Sequence, residues 1–422
     1  MLTMIITIGV DDTDSKRGLC TTYLAAVMME RVGGLGTLVG LPRLVRLNPC
    51  VPFKTRGNAA VAFSLRTERP EDAKKIALET LMELSDFSGR NTNPGLVVAE
   101  EVPPELFRFY KRALSEILDI GEAKVIIEEN GLWSRGFKNQ RGLIGALAAI
   151  GARFEDYTYE LLAYRERSRW GTPREIDEGS VWKADDLTYP RTWDSVDRHN
   201  RCIVFAPHSP DPVLFGIRGD DLAALETALE MIRSEPWERK VVYRTNQGTD
   251  VHINRGEICG VVEDRSYRLR GVVSQEPRAI EGGHLFFDLV SEDGNGSIRC
   301  AAFEPTKNFR DVIRELVPGD LVEVYGSVKK RTINVEKMEV LQLAEKRVLV
   351  APRCPTCGKN MKSAGRNQGY RCKRCGTKAT EKVTATLPRD LDIGLYEVPP
   401  CARRHLSKPL VRMNGQNVHP SR

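Results

Sequence analysis

Hydrophobic and polar residues alternate along the first third of the chain in the manner of an α/β protein. The apolar run at residues 4–10 predicts a buried strand, and residues 19–32 carry apolar side chains at helical spacing. Residues 58–66 predict another strand, and residues 69–87 predict an amphipathic helix. We therefore expect an α/β domain over residues 1–140, in which strands and helices take turns along the chain.

A second pattern of alternating elements begins near residue 141. Residues 141–152 predict a helix that contains several glycines, and residues 220–234 predict another helix. Four apolar runs predict strands at residues 157–165, 201–207, 212–219 and 239–246. This order fits a compact sheet with helices on one face, so we expect a ferredoxin-like domain over residues 141–260.

Residues 267–343 change to a mostly β pattern. Five strand-like runs follow one another, with one helical insert at residues 306–316 between the third and the fourth run. Five strands with a helix in that place are typical of an OB-fold, a small barrel that often binds oligonucleotides. We expect this barrel over residues 261–345. Another small β-barrel or a β-sandwich is the alternative.

Charge is distributed unevenly along the 422 residues. Residues 346–422 contain 17 Lys and Arg against 4 Asp and Glu, a net charge of +13, whereas residues 1–345 carry a net charge of −7. A hydrophobic content of 41% and a charged content of 28% are typical of a soluble globular protein. A basic end on an acidic body indicates a polyanionic partner that binds at that end.

No segment predicts export or insertion into a membrane. The apolar N-terminus lacks the basic start and the small-residue cleavage site of a signal peptide, and it continues into three aspartates. No apolar run approaches the ~20 residues that a membrane-spanning helix needs. Six of the ten cysteines are scattered singly, and the other four form two CxxC pairs, which is unlike a disulfide framework. We therefore expect a cytoplasmic protein with no membrane partner.

The two CxxC pairs predict a zinc ribbon over residues 346–386. Cys354 and Cys357 form the first pair, Cys372 and Cys375 form the second, and 14 residues separate the pairs. Each pair can direct two thiolates at one metal ion, and four protein thiolates leave no position open for a substrate. The Zn²⁺ would therefore be structural. A redox-active dithiol pair is the alternative.

Cationic side chains surround the two cysteine pairs. They are Lys359, Lys362, Arg366, Arg371, Lys373, Arg374 and Lys378. Tyr370 lies among them, and an aromatic ring can stack on a base while cations neutralise phosphates. Beside a predicted OB-fold, this composition favours a nucleic-acid-binding end of the protein. A solvated basic face is the alternative.

Three carboxylates, Asp11, Asp12 and Asp14, follow the first strand directly. Carboxylates this close together repel one another, and a divalent cation relieves the repulsion. Mg²⁺ favours such oxygen ligands together with the phosphates of a substrate. The chain continues with residues that could contact those phosphates near a helix N-terminus: Lys16, Arg17, Gly18, Thr21 and Thr22. A solvated acidic turn followed by a helix cap is the alternative.

Two further polar runs are candidates for ligand contacts. The turn before the strand at residues 58–66 carries Lys54, Arg56, Gly57 and Asn58, which would suit a triphosphate, although an ordinary surface turn fits equally well. The run RTNQGTDVH at residues 244–252 is rich in side chains that form specific hydrogen bonds. A solvated loop is the alternative there.

Five motifs, followed by the predicted OB-fold and ribbon, resemble one family over essentially the whole chain. They are GVDDTDSKRGLCTTYLA, FKTRGNAA, RGLIGALAAIG, DPVLFGIRG and RTNQGTDVH. The family is that of the archaeal tRNA(Ile)-2-agmatinylcytidine synthetases. The resemblance implies a multidomain α+β architecture: an N-terminal α/β kinase-like domain that holds ATP and Mg²⁺, a ferredoxin-like domain, an OB-fold β-barrel, and a four-cysteine zinc ribbon with a C-terminal helical tail over residues 387–422.

The same resemblance implies an activity and roles for individual residues. The enzyme would use ATP to conjugate agmatine to carbon-2 of the wobble cytidine in the CAU-anticodon isoleucine tRNA, so that the codon AUA is read. Asp11, Asp12 and Asp14 match the metal-binding aspartates, and Thr21 matches an autophosphorylated threonine, with Thr22 as the neighbouring alternative. The four paired cysteines match the ribbon ligands, and the barrel, ribbon and tail would grip the tRNA.

Agmatine carries two positive charges, so its pocket should be acidic. Asp211 and Asp250 are candidates for that pocket on the ground of charge alone. Two other functions stay open at this point. A protein that only binds nucleic acid would explain residues 267–422 and leave the N-terminal part without a role. A phosphotransferase for a small molecule would leave the basic C-terminal part unexplained.

Overall fold

The computed structural model describes residues 3–55, 57–413 and 417–422, and every count of structural elements refers to these residues. Its N-terminal part contains twelve strands: β1 (Met4–Asp11), β2 (Gly36–Leu38), β3 (Arg43–Arg46), β4 (Ala59–Thr67), β5 (Gly95–Ala99), β6 (Trp133–Gly136), β7 (Thr158–Arg165), β8 (Thr192–Trp193), β9 (Val196–Asp197), β10 (Cys202–Ile203), β11 (Val213–Gly219) and β12 (Trp237–Thr245). It also contains seven helices: α1 (Thr21–Gly33), α2 (Pro70–Leu84), α3 (Pro104–Ala113), α4 (Ile120–Glu129), α5 (Gly142–Gly151), α6 (Glu178–Thr188) and α7 (Leu222–Met231).

One continuous sheet runs through both predicted N-terminal domains. Its strands follow the order β6-β5-β1-β4-β3-β12-β7-β11-β8, with β2 beside β4. The joint is the parallel pair of β3 and β12, where Arg43 lies opposite Arg244 and Leu44 opposite Thr245. The sequence predicts two separate domains and does not reveal this joint, because β3 is only four residues long and lies in a stretch interrupted by glycine and proline.

Alternation along the strands divides the apolar side chains between the two faces of the sheet. In β7, Leu162 and Tyr164 belong to the core formed with α1 and α2, whereas Leu161 and Ala163 belong to the core beneath α6 and α7. Successive side chains of a strand point to opposite faces, so a strand covered on both sides is apolar throughout. The ferredoxin-like part has α6 and α7 packed together on one face. The sequence predicts helices on one face of this sheet, but it does not predict α6.

Helix α5 falls in the predicted second domain, yet it packs on the first. Its residues Leu143, Ala146 and Ile150 share a core with strands β3, β4 and β5 and helices α3 and α4. Glycines permit this close packing: a Cβ added to Gly9 of β1 would lie 2.3 Å from the carbonyl oxygen of Ala146. Helix α5 therefore lies against the end of β1, where the three aspartates begin.

The barrel forms as predicted. Its strands are β14 (Ser266–Val273), β16 (Leu285–Val290), β17 (Ser297–Ala302), β18 (Leu321–Lys329) and β19 (Thr332–Gln342), and two short strands adjoin it, β13 (Ile253–Arg255) and β15 (Arg278–Ala279). The pairs β14–β16, β16–β17, β17–β19, β19–β18 and β18–β14 close the circle. Helix α8 (Phe309–Arg314) lies between the third and the fourth strand, which is the arrangement of an OB-fold.

The ribbon stands on a two-stranded stalk of β20 (Lys346–Val350) and β24 (Val383–Leu387). Between them lie three short strands, β21 (Lys362–Ser363), β22 (Tyr370–Arg371) and β23 (Lys378–Ala379). These strands form a small antiparallel sheet next to the four cysteines, with the buried Met361 packed on the cysteine cluster.

The prediction of a helical C-terminal tail is wrong. In the described part of residues 387–422, strands β25 (Gly394–Glu397) and β26 (Val418–His419) extend the sheet of the barrel, and the helical content is two single 3₁₀ turns at Pro400–Ala402 and Leu410–Arg412. β25 pairs with the edge of β19. Prolines at 399, 400 and 409 explain the difference, because proline interrupts helices and favours extended backbone.

Candidate active site

A cavity of about 570 Å³ opens at the carboxyl end of β1. Its wall combines residues of both N-terminal domains with residues of the C-terminal tail. Nine of the residues that the sequence singles out line it: Asp11, Asp12, Asp14, Thr21, Thr22, Lys54, Gly57, Asn58 and Asp211. Arg56 lies outside the described residues. The structure thus brings together side chains from three separate stretches of the chain.

The acidic end of the cavity holds two partly buried carboxylates. Burial raises the pKa of Asp11 well above its usual range, and the charge of Asp12 raises it further. Burial also raises the pKa of Asp12 to about 7, although Arg141 opposes this shift from 3.6 Å. Asn93 donates a 3.3 Å hydrogen bond to the same Asp12 oxygen. Such carboxylates are destabilised as anions, so a cation between them is favourable.

All three aspartates line the cavity, but they do not form one compact ligand set. Among the described residues, the ribbon cysteines are the one group of three or more potential ligands whose atoms lie within 4.8 Å of one another. Asp12 has a left-handed backbone (φ 57°), which breaks the strand after Asp11. The backbone carbonyl of Asp14 accepts a 2.7 Å hydrogen bond from Thr92. One or two of these carboxylates can therefore share a cation, which is the usual number for Mg²⁺.

Helix α1 begins at the cavity with both predicted threonines. The hydroxyl of Thr21 accepts a 3.1 Å hydrogen bond from the Thr13 hydroxyl. The Thr22 hydroxyl lies 3.0 Å from Sγ of Cys20. The backbone carbonyl of Thr22 accepts a 3.0 Å hydrogen bond from the Tyr243 hydroxyl. The first N–H groups of a helix have no partner within the helix and carry partial positive charge, so an anion is favoured at this point.

Lys16, Arg17 and Gly18 occupy a different position from the predicted one, because none of the three lines the cavity. Arg17 is largely exposed and pairs with Asp86 at 2.8 Å. Gly18 adopts φ 140°, and a Cβ there would approach the carbonyl oxygen of Pro210 to 3.0 Å. The glycine therefore allows this loop to contact the loop that carries Asp211.

Two arginines and a glutamate, which the sequence does not single out, line the cavity at the joint of the sheet. Arg218 pairs with Glu160 at 3.1 Å, and Arg46 lies 3.8 Å from the same carboxylate. Burial lowers the pKa of Arg46 to about 10, and the carboxylate of Glu160 partly opposes that shift. The sequence signal for these residues is weak: Arg218 lies inside one quoted motif, but Arg46 and Glu160 are isolated charged residues within short strands and belong to no polar run.

The polar run at residues 244–252 holds this arrangement together. Asn246 accepts a 2.8 Å bond from the Arg46 backbone N–H and donates a 2.9 Å bond to its carbonyl. Gln247 accepts a 3.2 Å bond from Nε of Arg46 and donates to Glu160. Asn246 and Gln247 are therefore buried and link β3 to β7 through hydrogen bonds. The alternative of a solvated loop is wrong for these two residues.

Asp211 and Asp250, the two candidates for the agmatine pocket, lie in different surroundings. Asp211 lines the cavity, where its carboxylate accepts hydrogen bonds from Val213 N (3.0 Å) and Arg174 (3.2 Å). Asp250 does not line the cavity. Its carboxylate binds Nζ of the fully buried Lys337 in the barrel and the backbone N–H of Lys408. Asp250 thus links three parts of the chain, and this position argues against a contact with a ligand in the cavity.

The ribbon cysteines converge as predicted. Sγ of Cys354 lies 3.3 Å from Sγ of Cys375, and Sγ of Cys357 lies 3.4 Å from Sγ of Cys372. Four thiolates from two knuckles match the ligand set of a structural Zn²⁺. All ten cysteines of the chain are free of disulfide bonds.

The fold and the cavity define a class: a multidomain enzyme in which a two-domain cavity is joined to two modules of the nucleic-acid-binding kind. Family models match nearly the whole chain, as the TiaS TCKD domain (7–138), the TiaS FLD domain (140–252), an OB-fold nucleic acid binding domain (258–343) and the TiaS C-terminal zinc ribbon domain (351–391). The chain belongs to the TiaS family.

Individual relatives agree with this assignment. The isoleucine-tRNA 2-agmatinylcytidine synthetase TiaS of Methanosarcina mazei is 52% identical over 421 residues, which cover 97% of this chain and 98% of the relative. A solved complex of TiaS with isoleucine tRNA and ATP is similar to this chain, with a TM-score of 0.92 and 48% sequence identity. A solved complex of TiaS with isoleucine tRNA, AMPCPP and agmatine is also similar, with a TM-score of 0.89 and 46% sequence identity. Each of these matches covers 99% of this chain and all of the solved chain. Within the described residues, no helix combines the length and the apolar character needed to cross a bilayer.

Proposed function

We propose that this protein is an ATP-dependent ligase that conjugates agmatine to carbon-2 of the wobble cytidine in the CAU anticodon of isoleucine tRNA. The modified base pairs with adenosine, and the codon AUA is then read as isoleucine. The observation that carries the proposal is the shared cavity, in which an acidic strand end, a helix N-terminus and cationic side chains meet. The names of the relatives and the ligands of the similar complexes support it.

The reaction needs two displacements at one base. The cytosine O2 attacks the terminal phosphorus of ATP, so an O–P bond forms and ADP leaves. The primary amine of agmatine then attacks carbon-2, and the C–O bond breaks with the phosphate as leaving group, while the nitrogen gives up its protons. Phosphorylation is required because the oxygen of an amide-like carbonyl is a poor leaving group. Phosphoryl transfer depends mainly on positioning and on charge stabilisation.

Oxygen donors at the end of β1 fit a magnesium ion. Asp11 and Asp12 are partly buried and are destabilised as anions, and Asp14 lines the same cavity, so hard carboxylate ligands are available where a triphosphate would lie. When bound, Mg²⁺ offsets the charge of the phosphates. Asp11 and Asp12 are the residues that would hold it, with Asp14 close by.

The start of α1 and the basic residues opposite are suited to the phosphates. Helix α1 presents its N-terminus and the hydroxyls of Thr21 and Thr22 to the cavity, and Lys54 and Arg46 contribute cations from the wall. Thr21 is the candidate for a phosphorylated residue, since it lines the cavity at the first position of the helix. Gly57 and Asn58 shape the adjoining turn, where Asn58 donates a 3.0 Å bond to the carbonyl of Asn48.

Two further carboxylates in the wall of the cavity are candidates for agmatine. Asp211 lies on the loop between β10 and β11, and Arg174 holds this loop through the carbonyls of Ser209 and Val213 at 3.0 and 2.7 Å. Glu160 adds a second buried carboxylate to the cavity. A dication is stabilised by such groups in a site of low dielectric constant.

The barrel and the basic ribbon are suited to binding the tRNA, with a structural Zn²⁺ held by the four cysteines. An anticodon base must be unstacked to enter the cavity, and this costs on the order of a few kcal/mol, less in a loop than in a duplex. A tRNA substrate favours the cytoplasm as the site of the reaction.

The proposal is tested by incubating the protein with ATP, Mg²⁺, radiolabelled agmatine and isoleucine tRNA with a CAU anticodon. We expect label in the tRNA, and no label when the wobble cytidine is replaced by uridine. Binding of the tRNA without incorporation of label would favour a binding protein without this activity.

A further inference from the structure

The C-terminal tail places a histidine in the wall of the cavity. His405 follows the turn at Pro400–Ala402, is half-buried, and lies beside residues of the N-terminal domains. Its Nδ1 lies 2.7 Å from Nη2 of Arg218. An arginine can only donate hydrogen bonds, so Nδ1 must be the acceptor and the ring proton must be on Nε2. The imidazole is therefore neutral in this arrangement.

The surroundings of the ring also favour the neutral form. Arg46, Arg218 and Lys54 face His405, and burial together with these three positive charges lowers the pKa of the imidazole well below its usual range. Glu160 is the carboxylate that pairs with the two arginines. Two arginines share this single carboxylate, so a net positive charge is left, and a neutral imidazole can hold Arg218 in place without cancelling that charge.

Space for the ring is provided by a glycine. A Cβ on Gly57 would lie 3.2 Å from Nε2 of His405 and 2.6 Å from Nη1 of Arg46. The glycine in the predicted phosphate-binding turn therefore allows both side chains to approach the same point. A larger residue at position 57 would displace one of them.

The tail is fixed before the histidine and at the histidine itself. Before it, β25 pairs with β19 of the barrel, and the buried Arg403 binds Glu397 at 2.9 Å. At the histidine itself, the carbonyl of His405 accepts a 2.8 Å bond from Gly248 N, in the same turn that brackets Arg46. The ring thus belongs to a segment that connects the barrel with the cavity.

We propose that His405 is a positioning residue that acts through Arg218, and that it makes the geometry of the cavity depend on the docking of the tail to the barrel. Arg218, held by His405 and Glu160, then has a fixed orientation toward the ligands in the cavity. The expected effect of His405 on the reaction rate rests on the proposed function. Binding of tRNA to the barrel can therefore affect the orientation of Arg218 in the cavity through the tail and His405.

Two substitutions separate the hydrogen bond from packing. His405→Leu keeps an apolar volume and removes the acceptor, whereas His405→Asn places an oxygen near the position of Nδ1. We expect His405→Leu to lower kcat for tRNA modification by about tenfold or more, since a hydrogen bond to a charged group is lost, with the Kd for tRNA unchanged within about twofold. His405→Asn should restore most of the rate. His199→Ala, at an exposed histidine that does not line the cavity, is the control and should behave as the wild type.

The inference is overturned if His405→Leu keeps its kcat within about twofold of wild type, or if His405→Asn is as slow as His405→Leu. A second measurement does not depend on activity: the ¹⁵N shifts of the His405 imidazole, assigned by its loss in His405→Asn. We expect the neutral Nε2–H tautomer at about pH 6, where an unperturbed histidine is mostly charged. A charged ring or the other tautomer contradicts the inference. An inactive wild type with the expected tautomer would contradict the proposed function and leave this assignment standing.

Discussion

Gly145 of helix α5 lies directly behind the carboxylate of Asp11. A Cβ at position 145 would come within 1.9 Å of Oδ2 of Asp11 and within 2.5 Å of its Cγ. The second predicted domain therefore contributes the surface against which the first aspartate of the acidic cluster rests. The glycines of RGLIGALAAIG have a packing role with a direct consequence for the cavity.

Gly145→Ala should displace Asp11 and damage both stability and activity. Overpacking at a rigid contact typically costs about 1–3 kcal/mol, and here the atom that must move is a candidate metal ligand. We expect a lower melting temperature and a loss of agmatine incorporation. Gly33→Ala is the control, because a Cβ there meets nothing within 4 Å, and alanine in a helix is neutral or stabilising. Equal behaviour of the two variants would contradict the packing argument.

Asp12→Asn should abolish ATP-dependent chemistry and leave tRNA binding largely intact. The amide keeps the shape of the side chain but cannot provide an anionic ligand to a metal ion. ADP release and agmatine incorporation measure the chemistry, and a filter-binding titration measures the affinity for tRNA. Asp72→Asn, in an exposed pair with Arg69, should have no effect on either. A variant Asp12→Asn that still modifies tRNA at the wild-type rate would show that the metal is held elsewhere.

Removal of the zinc should weaken tRNA binding without closing the cavity. Cys372→Ser removes one of four thiolates, and a small ribbon with so few buried apolar residues depends on its metal for folding. We expect loss of one zinc per chain, a fall in affinity for tRNA of about tenfold or more, and unchanged binding of agmatine by calorimetry. Cys259→Ser, at an exposed single cysteine, should retain zinc and affinity. Retention of full tRNA affinity by a zinc-free Cys372→Ser protein would contradict the assigned role of the ribbon.

The buried ion pair of Arg165 and Glu235 should dominate the local stability of the ferredoxin-like part. Both side chains are fully buried, with contacts of 2.6 and 3.0 Å, and loss of one partner leaves an unpaired buried charge. Glu235→Ala should therefore destabilise the fold by about 3–5 kcal/mol, measured by urea unfolding followed through tryptophan fluorescence. Asp72→Ala, at the exposed pair, should change it by less than about 1 kcal/mol.

The same pair predicts a pH dependence. Burial alone would raise the pKa of Glu235, but the hydrogen bonds and the charge of Arg165 outweigh it and the pKa is lowered in the folded state. The folded protein therefore binds this proton less readily than the unfolded chain does. The stabilisation is fully present above the unfolded pKa and is lost as the pH falls through the folded pKa. The difference in unfolding free energy between wild type and Glu235→Ala should therefore shrink in acid. A difference that is constant down to about pH 2 would contradict a charged pair.

Short-range patterns made most of the elements predictable. The strand before Asp11, helix α1, the five barrel strands and the cysteine ribbon follow from periodicity and from ligand spacing. The joint of β3 and β12 was not predictable, because it depends on a parallel pairing between residues about 200 positions apart. For the same reason, His405 and Glu160 carry no local signal, since each enters the cavity only through tertiary structure.

The candidate site was predictable where charge and turn residues occur together in sequence. Asp11, Asp12 and Thr21 are of this kind, and all three line the cavity. Lys16 and Arg17 show the limit of such reasoning. They are next to the cluster in sequence, but the turn at Gly18 directs the chain toward Pro210, and Arg17 pairs with Asp86 instead.

We propose that agmatine is joined to a base of tRNA in this one cavity, in a reaction that consumes ATP. The most direct measurement is mass spectrometry of the wobble nucleoside, isolated from CAU-anticodon isoleucine tRNA after reaction with ATP, Mg²⁺ and agmatine, for wild type and Asp12→Asn in parallel. We predict a cytidine whose mass is increased by agmatine less water with the wild type, and unmodified cytidine with Asp12→Asn. Unmodified cytidine with the wild-type protein, under conditions where it binds the tRNA, would contradict the proposed reaction.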